Sequence, residues 1–178
     1  QPGNFYPVKL LDVIERIYEH FSIFIKTHNI ELKIDCSEEL VVETIPNLIE
    51  VIIANLVENA LFYSTVKGLP DCLVEISAEI ENNELIISVK DNGIGLDSAN
   101  KARLFDMFYR GTEYSKGNGL GLYIVQKSIH VLNGSIDVES KYGEYSKFIV
   151  HLPLEGSREH SFSFLYERDR DSDLMVLK

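Results

Sequence analysis

Asp91-Asn92-Gly93-Ile94-Gly95-Leu96 decides how the rest of this chain is read. An acid closes an alternating apolar stretch, residues 84–90, and opens a turn built on two glycines. Glycine lets a backbone approach a ligand with no Cβ in the way. Further along, Gly117-Asn118-Gly119-Leu120-Gly121-Leu122 leads straight into an apolar helical pattern. A helix that starts at such a run presents unpaired N–H groups and a partial positive charge to an anion. Together the two runs predict a site that grips a base at one end and phosphates at the other.

Outward from these runs, the chain reads as alternating helices and strands. Residues 7–28 predict a helix with Pro7 in its first turn and apolar positions from Leu10 to Ile25. Residues 30–35 and 40–43 predict strands. Residues 45–63 predict a helix capped by Thr44, with Ile49, Ile53, Leu56, Val57 and Ala60 on one side and Asn55, Glu58, Asn59 and Phe62 on another. Residues 72–80 and 84–90 alternate as strands around a tight turn at Glu81-Asn82-Asn83. Residues 92–116 are long and irregular, with a short helix at 98–105. A loop of that length in a compact domain is functional or disordered. Residues 120–132 predict a helix ended by Asn133-Gly134, and 135–140 with 147–152 a closing hairpin. The expected fold class is α/β, a two-layer sandwich of a mixed, largely antiparallel sheet covered by helices. It occupies residues 1–155. A polar tail follows at 156–178, where Phe162 to Tyr166 could pair as an edge strand.

Composition narrows the function. A chain of 178 residues, 45% hydrophobic and 25% charged, suits one ordinary globular domain with a core. The net charge of −11 argues against a nucleic-acid surface, which needs clustered Lys and Arg. An anionic ligand must then be held by backbone amides, a bound cation and a few basic side chains. Cys36 and Cys72 have neither metal-type nor redox-type spacing and predict free thiols in a reducing compartment. The sequence shows no uninterrupted apolar run of about 18 residues and no signal-peptide pattern. The expectation is a cytoplasmic location with no direct membrane contact by this domain, either in a soluble protein or as the cytoplasmic part of a membrane-anchored sensor.

Four segments in order, Asn55-Leu-Val-Glu-Asn-Ala60, the Asp91 turn, Leu104-Phe-Asp-Met-Phe-Tyr-Arg-Gly111 and the Gly117 run, resemble the ATP-binding catalytic domain of two-component sensor histidine kinases. That domain shares a superfamily, and a Bergerat-type fold, with DNA gyrase B, Hsp90 and MutL. The resemblance covers residues 6–154. Met107 to Gly111 and Lys116 to Val125 look closest to hybrid or PAS-linked kinases of Bacteroidetes-type bacteria.

The resemblance assigns roles that composition and spacing leave open. It implies that Asp91 accepts a hydrogen bond from the adenine amino group, where the bland alternative is an acid that starts a turn. Gly93, Ile94 and Gly95 then pass close to the base, and Tyr63 packs near its ring. Asn55 and Asn59 share a helix face, and amide oxygens there suit Mg²⁺. By resemblance Asn59 is the metal ligand and Asn55 supports it. Phe105 and Phe108 fit the aromatic anchors of a mobile lid, and Arg110 is the lid residue that reaches the γ-phosphate. Lys116, Gly117, Asn118, Gly119, Leu120, Gly121 and Leu122 hold the phosphates.

Two positions depart from the pattern. Phe62 stands where relatives carry a phosphate-contacting lysine, and Asn118 where Thr is common. Asn55 separates the possible activities. ATP-hydrolysing relatives carry a glutamate there to activate water, and an amide is no general base at neutral pH. A neutral imidazole is already nucleophilic, so a histidine acceptor needs no such base. None of the five histidines, His20, His28, His130, His151 and His160, lies in a phosphoacceptor context. The resemblance therefore implies two partners, a histidine-bearing dimerisation domain of the same protein and a response regulator receiver domain. The competing expectation is a degenerate module that binds nucleotide without transfer, for which Phe62 is the hint.

Overall fold

Along Glu84–Asp91, alternation puts Leu85, Ile87, Val89 and Asp91 on the buried side of a sheet. In the computed structural model, which describes residues 4–108 and 119–154, this strand is β5. The elements are β1 (Tyr6–Lys9), α1 (Leu10–Thr27), β2 (Glu31–Cys36), β3 (Val41–Thr44), α2 (Pro46–Val66), β4 (Leu73–Glu81), β5 (Glu84–Asp91), α3 (Ser98–Arg103), α4 (Gly121–Val131), β6 (Ser135–Lys141) and β7 (Tyr145–Pro153).

Five strands form one sheet in the order β2-β4-β5-β7-β6. Only the β2–β4 pair is parallel. The helices α1, α2 and α4 pack on one face of it, α1 against β2, α2 against β4 and β5, and α4 against β6. The core lies between these layers and includes Ile14, Ile49, Ile53, Leu56, Ile76, Ile87, Val125, Ile129 and Val150. This is the mixed two-layer sandwich that the alternation predicts.

The connections follow local chemistry. Asn82 and Asn83 have φ of 51° and 65°, the left-handed pair that a two-residue hairpin between β4 and β5 requires. α4 ends with Asn133 at φ 56°, its N–H donating to the His130 carbonyl at 3.0 Å and that of Gly134 to Ile129 at 2.9 Å. These are the two bonds of a Schellman stop.

The starts of α1 and α2 differ in kind from the sequence reading. Residues 7–9 are extended rather than helical: β1 pairs antiparallel with β3 in a separate ribbon, with Pro7 opposite Glu43. A proline lacking an N–H is tolerated in such a ribbon, and cross-strand pairing outweighs the helical pattern until Leu10. Thr44 does not cap α2. It is buried in β3, Ile45 is the N-cap residue without a side-chain bond, and Pro46 starts the helix with its fixed φ.

α2 is 21 residues long with a mean hydropathy of 1.3 in its most apolar window, enough by length and composition to cross a bilayer. It contains Asn47, Glu50, Asn55, Glu58 and Asn59. Its apolar side is buried between the sheet and the helices α1 and α4, so the hydropathy reflects a core helix.

Candidate functional site

Asp91 is the last residue of β5, on the core-facing side and only 3% exposed. Its Oδ1 accepts the Gly93 N–H at 2.8 Å. Burial pushes its pKa from 3.8 up to about 7, while the Gly93 N–H and the positive charge of Lys67 pull it down. A buried carboxylate that costly to ionise is a candidate functional position.

The turn after it is tightly walled. A Cβ on Gly93 would meet the Tyr63 carbonyl oxygen and, at 2.6 Å, the Asp91 Oδ1. Gly95 has φ 64°, and a Cβ there would run into the Lys141 carbonyl. Both positions therefore need glycine. Asn92 ties the turn to the start of β4: its Oδ1 accepts the Leu73 N–H at 2.9 Å and its Nδ2 donates to the Asp71 carbonyl at 2.7 Å.

α2 forms one side of the site. Asn55, Asn59, Phe62 and Tyr63 are all partly buried. The Phe62 and Tyr63 rings meet edge-on with centroids 5.2 Å apart. Asn55 Nδ2 donates to the Val51 carbonyl at 2.8 Å, which turns its Oδ1 toward the start of α4; a Cβ on Gly121 would lie 2.9 Å from that oxygen. The helix thus touches the Asp91 turn at Tyr63 and the second glycine run at Asn55. These contacts lie about 12 Å apart along its axis, a span suited to a nucleoside and its phosphates.

At the other end, beside Asn55, α4 begins without a side-chain cap and without an acid in its first turn. Its positive end faces the Asn55 side of the site. Gly119, Leu120, Gly121 and Leu122 are partly buried here, and Ile94 is partly buried in the first turn. Phe105 packs against the core with Leu104, whereas Phe108 is 65% exposed at φ 62°. Of the two aromatics, Phe105 is the one packed against the core among the described residues. The Phe108 N–H donates to the Gly119 carbonyl at 3.0 Å, bringing the ends of the intervening segment together. Arg110, Lys116, Gly117 and Asn118 lie outside the described residues.

The donor set fits an adenine nucleotide. A buried acceptor stands beside a glycine cradle at one end, and a helix start faces an amide oxygen at the other. Among the described residues no group of three His, Cys, Asp or Glu could hold a metal by itself. A hard cation here would need the neutral oxygens of Asn59 and Asn55 together with phosphate oxygens.

Residues 44–156 match the family described as histidine kinase-, DNA gyrase B-, and HSP90-like ATPase. The chain belongs to that family. It is a histidine kinase-type catalytic domain that binds ATP. It is 36% identical over 121 residues to the sensor histidine kinase AtsR of Burkholderia thailandensis, covering 66% of this chain and 20% of the relative. It is 40% identical over 107 residues to the sensor protein RprX of Bacteroides fragilis, covering 58% and 20%. The chain thus spans about one fifth of the length of these relatives. Among solved structures, the catalytic domain of histidine kinase ThkA superposes with a TM-score of 0.74 at 26% identity, over 84% of this chain and 95% of that one.

Sequence reasoning missed three contributors. Lys67, the residue after α2, acts on Asp91 by charge alone. Asn92 sits inside the glycine motif, but its partners Asp71 and Leu73 lie about twenty residues away, beyond any local pattern. Ser140 reaches the turn only through the register of β6 and β7, which no local pattern encodes.

In this family, the two glycines give a direct prediction. Gly93→Ala and Gly95→Ala should each lose ATP binding and destabilise the fold by about 1–3 kcal/mol, the usual cost of forcing extra atoms into a packed place. Calorimetric titration and thermal unfolding check both. An alanine variant that binds as wild type does would mean that the turn is looser than described.

Proposed function

We propose that this chain supplies the ATP·Mg²⁺-binding step of a sensor histidine kinase and presents the γ-phosphate to a histidine on a dimerisation domain. The phosphoryl group then passes to a response regulator receiver domain. The observation that carries this reading is the buried Asp91 at the end of β5, facing a turn with no room for a Cβ, while α2 joins that turn to the start of α4.

In this reading Asp91 orients the base, Tyr63 packs near its ring, and the first N–H groups of α4 hold phosphate oxygens. Asn59 would hold the metal, with Asn55 in support, and Mg²⁺ would neutralise phosphate charge. Asn55 supplies no base for water: an amide does not take up a proton at neutral pH, and its nitrogen is committed to Val51. That favours transfer, which rests on positioning and charge stabilisation, over hydrolysis. Arg110 and Lys116 would supply cationic help at the γ-phosphate.

Two of the described histidines, His28 and His151, are engaged within the fold. The His28 ring stacks on Phe24 at 4.0 Å, and the two ring nitrogens of His151 lie 3.6 Å from Glu84 and 3.5 Å from Asp137. An acceptor on another domain suits this arrangement, as does a cytoplasmic place for the reaction.

Phe62 bears on rate. Phe62→Lys restores the positive charge that relatives carry and should hold or raise phosphotransfer, with ATP affinity rising severalfold. Kinetics at several ATP concentrations, with the dimerisation helices present, would read this. A large fall in affinity would show that the ring is needed for packing and that the phosphates lie elsewhere.

A further inference from the structure

The Asp91 turn is held on its far side by a segment that no motif marks. Ser140 on β6 accepts the Leu96 N–H at 2.7 Å through its Oγ, and the same hydroxyl donates to the Tyr145 carbonyl at 2.8 Å. The Gly143 N–H, in the β6–β7 connection, donates to the Ile94 carbonyl at 2.7 Å. Between them, Gly95 lies so close to the Lys141 carbonyl that a Cβ would clash. Three successive turn residues, 94, 95 and 96, thus meet residues 140–143.

The register explains why these groups converge. Asp91 lies opposite Ser146 on β7, and Ser146 lies opposite Ser140 on β6. The two serine oxygens are 3.4 Å apart, and Ser146 is buried. A polar row therefore runs sideways from Asp91 across β7 to the edge strand. On the opposite side, Asn92 fixes the same turn to Asp71 and Leu73. The turn cannot move against the sheet unless one of these two clamps opens.

We propose that the β6–β7 hairpin sets the affinity and selectivity of the base pocket, with Ser140 as the positioning residue. It acts through Leu96 and Gly95 and touches no nucleotide. The inference rests on the nucleotide-site reading above and adds a determinant outside its motifs. Removing the hydroxyl leaves the Leu96 N–H without its acceptor and frees the turn. Threonine keeps the hydroxyl and suits a strand.

The test uses the full chain as wild type, Ser140→Ala, Ser140→Thr and Gly143→Ala. The last variant places its Cβ in open space but strains a backbone at φ 82°. Three quantities are measured well below the unfolding midpoint: hydrogen exchange of the Leu96 amide without nucleotide, the Kd for ADP, and the ratio of Kd for GDP to that for ADP. Ser140→Ala should speed Leu96 exchange and raise the ADP Kd by about tenfold each, and should lower the GDP/ADP ratio. Ser140→Thr should stay within about threefold of wild type. Gly143→Ala should weaken ADP binding in the same direction by less. A Ser140→Ala variant that binds ADP as wild type does, with the same selectivity, would overturn the inference. So would an equal loss in Ser140→Thr. A wild-type chain that binds no ADP would instead sink the nucleotide-site reading itself.

Discussion

Asp91→Asn is expected to weaken ATP binding by roughly 1–3 kcal/mol while making the nucleotide-free fold more stable above neutral pH. The loss follows from replacing a buried charged acceptor by an amide that accepts more weakly and offers donors where the adenine amino group also donates. The gain follows from linkage. The folded pKa of about 7 lies above the ordinary value of 3.8, because burial disfavours the carboxylate. Below the lower value Asp91 is protonated in both states and its contribution to stability is fully present. As pH rises through the window between them, the unfolded chain gives up its proton first, so stability falls. Above the folded value the full cost of a buried charge remains, up to about 4 kcal/mol. Asn carries no such cost and can still accept the Gly93 N–H. Denaturant unfolding at pH 5 and pH 8 should therefore show a wild type that weakens with pH and a variant that barely changes. ATP affinity should rise with pH in the wild type as the carboxylate charges, with the variant as control for titration of the nucleotide. A variant that is less stable than wild type at pH 8, with unchanged ATP affinity, would remove Asp91 from the pocket.

The turn after β5 was legible because glycine and acid positions are dictated locally. Gly93 and Gly95 are required by walls that a Cβ would strike, and such places leave a mark in the sequence. The strand pattern of β5 likewise carried Asp91 to the buried side in the correct register. The illegible part is tertiary. Pro7 and Val8 belong to a ribbon whose partner, β3, lies more than thirty residues away. Periodicity alone extended α1 backwards over them. The grip of Ser140 on Leu96 crosses 44 positions and depends on how β6 pairs with β7. Beyond its expected support of Asn59, Asn55 has its amide nitrogen tied to Val51 and its oxygen near the first turn of α4, the second of which no local pattern encodes. Phe105 packs inward and Phe108 does not, a difference that the sequence pattern does not encode.

The second large effect is expected at Asn59. Asn59→Ala should abolish Mg²⁺-dependent phosphotransfer, a loss of at least about a hundredfold, because the cation that neutralises the phosphates would lose its protein ligand. Nucleotide binding without Mg²⁺ should change little, since the base end of the site is untouched. Asn59 is partly buried on the polar side of α2, so its truncation leaves the core intact. Titrating ATP with and without Mg²⁺ separates the two contributions. A variant that transfers phosphate normally would move the metal to other ligands.

The central claim is that this domain binds ATP for transfer to a histidine it does not itself carry. The most direct measurement follows γ-labelled phosphate with the chain alone and then with its cognate dimerisation helices. Alone, it should show almost no steady-state hydrolysis and no self-labelling. With the helices, label should appear on one histidine of theirs and vanish in Asn59→Ala. Brisk hydrolysis by the chain alone, or ATP binding with no transfer to the cognate helices, would contradict the account.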